Sequence, residues 1–132
     1  MPAFALTFDD GPGPSTEAIL EVLIDAGVRA TFFVLGRNVE EAPWADGDGL
    51  RARALVVRAM RAGHVIGNHS YSHERPEQHL RLAADLRRAD QVLAVCRHEA
   101  GLPAALSPVR LPYGIHLIEQ TMTVPTRMAP LR

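Results

Sequence analysis

Short apolar runs alternate along this chain with longer segments in which apolar residues recur at helical spacing. The short runs are rich in β-branched and aromatic residues, and they predict strands at residues 4–8, 31–35, 65–67 and 109–111. The longer segments predict helices at residues 16–26, 50–62 and 77–98. Such alternation is typical of an α/β fold, here with about four parallel strands and flanking helices.

Polar residues lie at the ends of three of these predicted strands. Asp9 and Asp10 follow the first strand, and His69 and His73 come shortly after the third. Arg110 lies in the fourth, ahead of a Pro-Tyr-Gly turn. Because the carboxyl ends of parallel strands meet at one edge of a sheet, we expect these side chains to lie close together, where active sites of α/β proteins form.

Each motif taken alone leaves alternatives open. Two adjacent carboxylates, Asp9 and Asp10, repel each other when buried, and a divalent cation would relieve one of them. The same segment also fits a solvated loop with a helix-capping aspartate. His69 and His73 are four residues apart, so one helical turn would bring both imidazoles within reach of one ion. Three other histidines are interpreted as structural or surface groups: His64, His79 and His98.

Charge and composition narrow the class of protein. The chain has 132 residues and a formal net charge of −1, which argues against a nucleic-acid surface or an anionic membrane as the main partner. No apolar run approaches the roughly 20 residues that span a bilayer, and the N-terminus lacks a secretion signal. We expect a cytoplasmic protein as written, or an extracytoplasmic one if a longer precursor exists. Cys96, the single cysteine, is expected to be buried.

The combined motifs resemble one family. T-F-D-D-G-P, H-S-Y-S-H and R-L-P-Y-G, in this order, are similar to the first three motifs of the NodB-type polysaccharide deacetylases, carbohydrate esterase family four. The resemblance implies a distorted (β/α) barrel and a metal-dependent hydrolase. Such enzymes remove N-acetyl groups from amino sugars of the chitin-oligosaccharide or peptidoglycan type. The resemblance assigns residues 1–114 to the N-terminal part of the deacetylase domain and leaves 115–132 as a poorly specified tail.

The resemblance also implies a role for each motif residue. The metal ligands would be three side chains: Asp10, His69 and His73. Asp9 would be the catalytic base, Arg110 would orient it, and Tyr113 would offer its backbone N–H to the oxyanion of the substrate. Zinc suits two imidazoles and one carboxylate, although cobalt and manganese accept such mixed ligands as well.

The resemblance covers the first three family motifs only. The family has two further motifs, one of which supplies a histidine that protonates the leaving amine, and His116 comes too early to match it. We therefore expect a chain truncated after the third motif, with an open barrel edge that a second copy could cover. Two alternatives follow: a metal-binding fragment without activity, and an amidase acting on small non-carbohydrate amides.

Overall fold

The computed structural model describes residues 3–78 and 80–114, which form a parallel sheet flanked by helices. The three strands lie in the order β1-β2-β3: β1 Thr7–Gly11, β2 Thr31–Val34 and β3 Val65–Asn68. The α-helices are α1 Thr16–Ala26, α2 Gly36–Glu40, α3 Gly49–Arg61 and α4 Leu82–Glu99. The predicted α/β class, with parallel strands and flanking helices, is confirmed.

Local sequence signals set the ends of the helices. α1 ends at Gly27, which adopts the left-handed conformation (φ 65°) and donates its N–H to the carbonyl of Ile24. α3 begins after Asp48, whose side chain accepts a hydrogen bond from the N–H of Arg51. α1 and α3 each return the chain to the start of the next parallel strand, so the loops after β1, β2 and β3 lie at the same edge of the sheet.

The core lies between the sheet and the helices. Phe32 and Ile66 of the sheet pack with Leu20 of α1, Leu55 of α3 and Leu93 of α4. Cys96 is also part of this cluster and is fully buried, as expected from its position on the helical stripe. Burial raises the pKa of its thiol to about 11, so the sulfur stays protonated and acts as an apolar packing group.

The predicted fourth strand is reduced to a single bridge. Val109 pairs in parallel with Asn68 and has no other strand partner among the described residues. The Asn68 N–H donates to the carbonyl of Pro108, and its carbonyl accepts from the N–H of Arg110. Prolines at 108 and 112 lack the N–H groups that a longer ladder needs, which limits this segment to one bridge.

Several predicted boundaries differ from the observed ones. The first strand runs from Thr7 to Gly11, so it includes both aspartates, and Phe4 is 93% exposed. The last predicted helix begins later, at Leu82, after a short 3-10 turn at Pro76–Gln78. Residues 115–132, the predicted tail, lie outside the described part of the chain. No helix in the described ranges is long and apolar enough to cross a membrane.

Candidate metal centre

Asp10 reaches the edge of the sheet through an irregularity in β1. The pairing of β1 with β2 is regular up to Asp9, opposite Phe33, and then skips one residue, so that Gly11 lies opposite Val34. Asp10 is the skipped residue and adopts a left-handed backbone conformation, φ 70°. Two consecutive side chains of a regular strand point to opposite faces. The bulge allows both carboxylates to serve the same site.

The two histidines lie in a loop after β3. The prediction of a helical turn between them is wrong, because the chain from His69 to His73 forms no helix. Ser70 and His73 have positive φ angles of 75° and 60°, and the hydroxyl of Ser70 accepts a hydrogen bond from the N–H of His73. This turned loop still brings the ring centroids within 5.4 Å of each other.

Three donor atoms converge at this point. Asp10 Oδ1 lies 3.2 Å from His69 Nε2 and 3.1 Å from His73 Nε2, and ligand atoms of all three residues lie within 4.8 Å of one another. In a tetrahedral zinc site with bonds of about 2.0–2.2 Å, neighbouring donors are separated by about 3.4 Å. The donor spacing and the donor chemistry therefore fit a small divalent cation.

The hydrogen bond on the far side of the His69 ring supports this fit. His69 Nδ1 lies 2.6 Å from the carbonyl oxygen of Arg110, which can only accept, so Nδ1 carries the hydrogen. In a neutral imidazole the lone pair is then on Nε2 and faces the carboxylate of Asp10. Two acceptors at 3.2 Å attract each other only with a cation between them, either a proton on Nε2 or a metal ion.

Asp9 belongs to a separate pair beside this triad. Its Oδ1 accepts a hydrogen bond from Arg110 Nη1 at 2.9 Å, and the same nitrogen donates to Thr7 Oγ1 at 3.0 Å. The Arg110 guanidinium also lies over the ring of Phe33, 4.2 Å from its centroid. Asp9 Oδ2 is not used by Arg110 and lies 3.9 Å from Nε2 of His69. Asp9 is thus held at one oxygen and presents the other to the metal centre.

Tyr113 borders the same place. It lies in a short turn, Pro112–Gly114, with φ 65° at Tyr113 itself. Its half-exposed ring lies 4.8 Å from the ring of His73, and the Arg75 guanidinium lies 4.6 Å from the Tyr113 centroid. All six residues predicted for the site are therefore brought together at one edge of the sheet.

Buried anchors below the histidine loop were not predicted from the sequence. The side chain of Asn68 is fully buried, donates to the carbonyl of Leu86 and to Asp90 Oδ1, and accepts from the N–H of Ser70. Asp85 accepts from the N–H groups of Tyr71 and Ser72. Asp85 and Asp90 lie among the polar positions of α4, and no sequence signal distinguished them from its exposed residues.

A second unpredicted anchor holds the bulge at Asp10. Asn38 of α2 donates from Nδ2 to the backbone carbonyl of Asp10 at 2.8 Å. The backbone carbonyl of Asn38 in turn accepts a hydrogen bond from Trp44 Nε1 at 2.8 Å. These bonds fix the backbone of Asp10 in its left-handed conformation, which costs a non-glycine residue of order 1 kcal/mol.

An open cleft of about 420 Å³ lies over the centre. Its walls come from the end of β1, the start of α2, the loop after β3 and the turn Pro112–Gly114: Asp10, Leu35, Arg37, Asn38, Ser72, His73 and Tyr113. A more apolar cavity of about 320 Å³ lies elsewhere, between α3 and α4, and includes none of the predicted site residues. Three of the six predicted site residues, Asp10, His73 and Tyr113, thus line the cleft at the sheet edge.

The remaining described histidines lie away from this centre. His64 is buried and its Nδ1 accepts a hydrogen bond from the N–H of Ala30, while His98 is exposed on α4. Burial and the positive charge of Arg29 lower the pKa of His64, which keeps this ring neutral. The interpretation of His64 and His98 as structural and surface groups is therefore consistent with their positions. His79 and His116 lie outside the described residues.

Comparison with known proteins decides the family. Residues 2–123 match the family model described as polysaccharide deacetylase, which is most of the chain. This chain belongs to the polysaccharide deacetylase family. It is 49% identical over 70 residues to a peptidoglycan-N-acetylglucosamine deacetylase of Bacillus cereus, covering 52% of this chain and 22% of that protein.

A second relative and one solved structure extend the match. The chain is 36% identical over 117 residues to a chitooligosaccharide deacetylase of Sinorhizobium fredii, covering 86% of this chain and 48% of that protein. The crystal structure of the Bc1960 peptidoglycan N-acetylglucosamine deacetylase superposes with a TM-score of 0.71 at 32% identity, covering 93% of this chain and 52% of that chain. The chain therefore spans at most about half the length of these relatives.

Proposed function

We propose that this chain carries the water-activating part of a metal-dependent hydrolase that removes N-acetyl groups from amino sugars. The observation that carries the proposal is the convergence of Asp10 Oδ1 on the Nε2 atoms of His69 and His73, at 3.2 and 3.1 Å, beside the Asp9–Arg110 pair. Family membership adds the substrate class, since relatives are named as peptidoglycan and chitooligosaccharide deacetylases. We assign this function to the domain segment 1–114.

We further propose that Asp10, His69 and His73 hold the ion, with zinc the best match to one carboxylate and two imidazoles. Cobalt and manganese are the alternatives. When bound there, such an ion would supply Lewis acidity toward the amide carbonyl and would lower the pKa of a coordinated water to about 7. Three protein ligands leave a coordination position open for this chemistry.

The roles of the other residues follow from their contacts. Asp9 would accept the proton of the attacking water at Oδ2, because Oδ1 is already engaged by Arg110. Arg110 would hold the Asp9 side chain in place through the bond to Oδ1. Tyr113, whose ring lies beside that of His73, would donate its backbone N–H to the oxygen that becomes negative as the amide carbon turns tetrahedral.

A second candidate is a metal-binding chain that does not complete the reaction. Release of the amine requires an acid that protonates the leaving nitrogen. Within residues 3–78 and 80–114, His73 is the only histidine that lines the cleft. The relatives, moreover, are about twice as long or longer. A second copy of the chain covering the open barrel edge stays a prediction, which the molar mass in solution would test.

Acetate release separates these candidates. We expect the chain loaded with zinc, cobalt or manganese to release acetate from an N-acetylglucosamine tetramer, and Asp10→Ala to abolish release. Asp25→Ala, an exposed acid on α1, is the matched control and should retain the rate. Release from small non-carbohydrate amides instead of the tetramer would favour an amidase. A folded chain that binds metal but releases nothing with any of the three ions would favour the second candidate.

A further inference from the structure

Arg37 is a cation on the wall of the cleft whose charge is not neutralised within the described part of the protein. It is exposed, lies in the first turn of α2 and lines the cleft together with His73 and Tyr113. No ion pair or hydrogen bond of its guanidinium exists among residues 3–78 and 80–114. Surface arginines commonly pair with carboxylates, so the positions of the nearby acids decide whether Arg37 has a partner of this kind.

The acids that would ordinarily pair with Arg37 are used elsewhere. Glu40 and Glu41 follow it by three and four residues, the spacing at which charged helix neighbours meet. The hydroxyl of Tyr71 lies 2.6 Å from Glu40 Oε2 and 2.8 Å from Glu41 Oε1. Arg88 also pairs with Glu40 at 3.2 Å. Both acids are therefore directed to Tyr71, and the guanidinium of Arg37 is left to the cleft.

The backbone of Arg37 is fixed relative to the histidine loop, residues 69–73. The N–H groups of Gly36 and Arg37 donate to the carbonyls of Ser70 and Tyr71, at 3.1 and 3.2 Å. A side chain at Gly36 would collide with the ring of Tyr71, because a Cβ there would lie 2.5 Å from a ring carbon. α2 and the loop therefore pack as one unit, and the flexible part of Arg37 starts from a defined point beside His73.

Resting on the proposed function, we infer that Arg37 forms an anion subsite that selects acetylated amino sugars carrying a carboxylate over neutral ones. The other charges at the cleft do not compete for this role. Asp10 faces the two histidines, Asp9 is paired with Arg110, and Arg75 at the cleft rim is paired with Glu77 at 3.0 Å. A guanidinium recognises a carboxylate through two parallel N–H bonds, and a neutral sugar offers it no such charge.

Equilibrium binding to the full zinc-loaded chain tests the inference. The two probes are an N-acetylglucosamine tetramer and a peptide-free tetrasaccharide in which N-acetylglucosamine alternates with N-acetylmuramic acid. We expect the acidic probe to bind about two- to fivefold tighter, as for one exposed charge pair. High salt should reduce the preference. Arg37→Gln should abolish it, and Arg87→Gln, an exposed arginine on α4 outside the cleft, should leave it unchanged.

The outcomes separate this inference from the deacetylase proposal. Equal binding of both probes, a preference that survives in Arg37→Gln, or no binding of either probe would overturn the role of Arg37. Acetate release from the probes in the first two cases would leave the deacetylase proposal standing. A preference that depends on Arg37, measured in a chain that releases no acetate, would support the subsite and contradict the catalytic proposal.

Discussion

The metal centre joins two regions that the fold supports very differently. The histidine loop is buried and densely anchored: His69 is 3% exposed, and Asn68 beneath it is fully buried with three side-chain hydrogen bonds. The aspartate side is open: the Asp10 side chain is 59% exposed, and its backbone is held by one bond from Asn38. Folding alone thus orients the histidines, whereas we expect the position of Asp10 to depend more on the ion that it is proposed to bind.

Removal of a histidine ligand should have the largest effect. We expect His69→Ala to weaken zinc binding by more than about 100-fold, since loss of an outer partner alone typically costs about 10- to 100-fold. His98→Ala, an exposed histidine on α4, is the matched control and should bind zinc like the parent. Isothermal titration with zinc makes the comparison, and equal weakening by both substitutions would contradict the assignment.

Removal of the buried anchor should destabilise the whole fold. Asn68→Ala leaves the N–H of Ser70, the carbonyl of Leu86 and the carboxylate of Asp90 without their partner. Buried polar groups that lose a partner cost about 1–3 kcal/mol each, so we expect the free energy of unfolding to fall by about 3 kcal/mol. Urea unfolding of the metal-free chain measures it. A loss below about 1 kcal/mol would mean that the loop is not anchored as described.

Asn38, the anchor on the aspartate side, should matter more for zinc binding than for stability. Asn38→Ala removes the bond to the carbonyl of Asp10 but leaves the exposed carboxylate in contact with solvent. We expect a loss of stability of about 1 kcal/mol or less and a weakening of zinc binding by about 10-fold. If the ratio of lost stability to lost zinc affinity is the same in Asn38→Ala and Asn68→Ala, the contrast between the two regions is not real.

The sequence allowed the groups of the site to be predicted, but not what holds them. Asp9, Asp10 and Arg110 could be placed at one edge because they follow apolar runs that alternate with helices. The bulge at Asp10 could not be predicted, because it depends on the pairing register with β2. The helical turn between His69 and His73 was wrong because the left-handed Ser70, bonded through its N–H to Asn68, reverses the chain.

The anchors were missed for a related reason. The bonds from Asn68 to Leu86 and Asp90, and from Asn38 to Asp10, join residues 18 to 28 positions apart. No periodic pattern records such pairs, and a buried asparagine resembles a loop residue in the sequence. The predicted strand at 109–111 is longer than the observed bridge, because its apolar character favours a strand but the flanking prolines lack the N–H groups for a longer ladder.

The smallest expected effect is a pH dependence that belongs to the fold and not to the metal centre. Burial, and then the charge of Arg29, lower the pKa of His64 below its usual 6.5, so the unfolded chain takes up a proton that the folded chain excludes. The stability is fully present above pH 6.5 and is lost as the pH falls from 6.5 toward the folded pKa.

His64→Asn isolates this effect. The amide oxygen can still accept from the N–H of Ala30 but does not titrate. Urea midpoints of the metal-free parent and variant, measured from pH 7.5 to 5, should show a smaller acid-dependent decrease in the variant. His69 and His73 are present in both proteins and cancel in the difference. Parallel pH profiles would show that His64 does not contribute.

The adjacent aspartates provide the most direct test of the central claim, that Asp10, His69 and His73 bind a divalent cation while Asp9 serves as its neighbouring base. Zinc titration of the parent, Asp10→Ala and Asp9→Ala is the measurement. The account predicts one ion per chain in the parent, binding weakened by more than about 100-fold in Asp10→Ala, and affinity within about threefold of the parent in Asp9→Ala. No binding by the folded parent, or equal losses in the two variants, would contradict it.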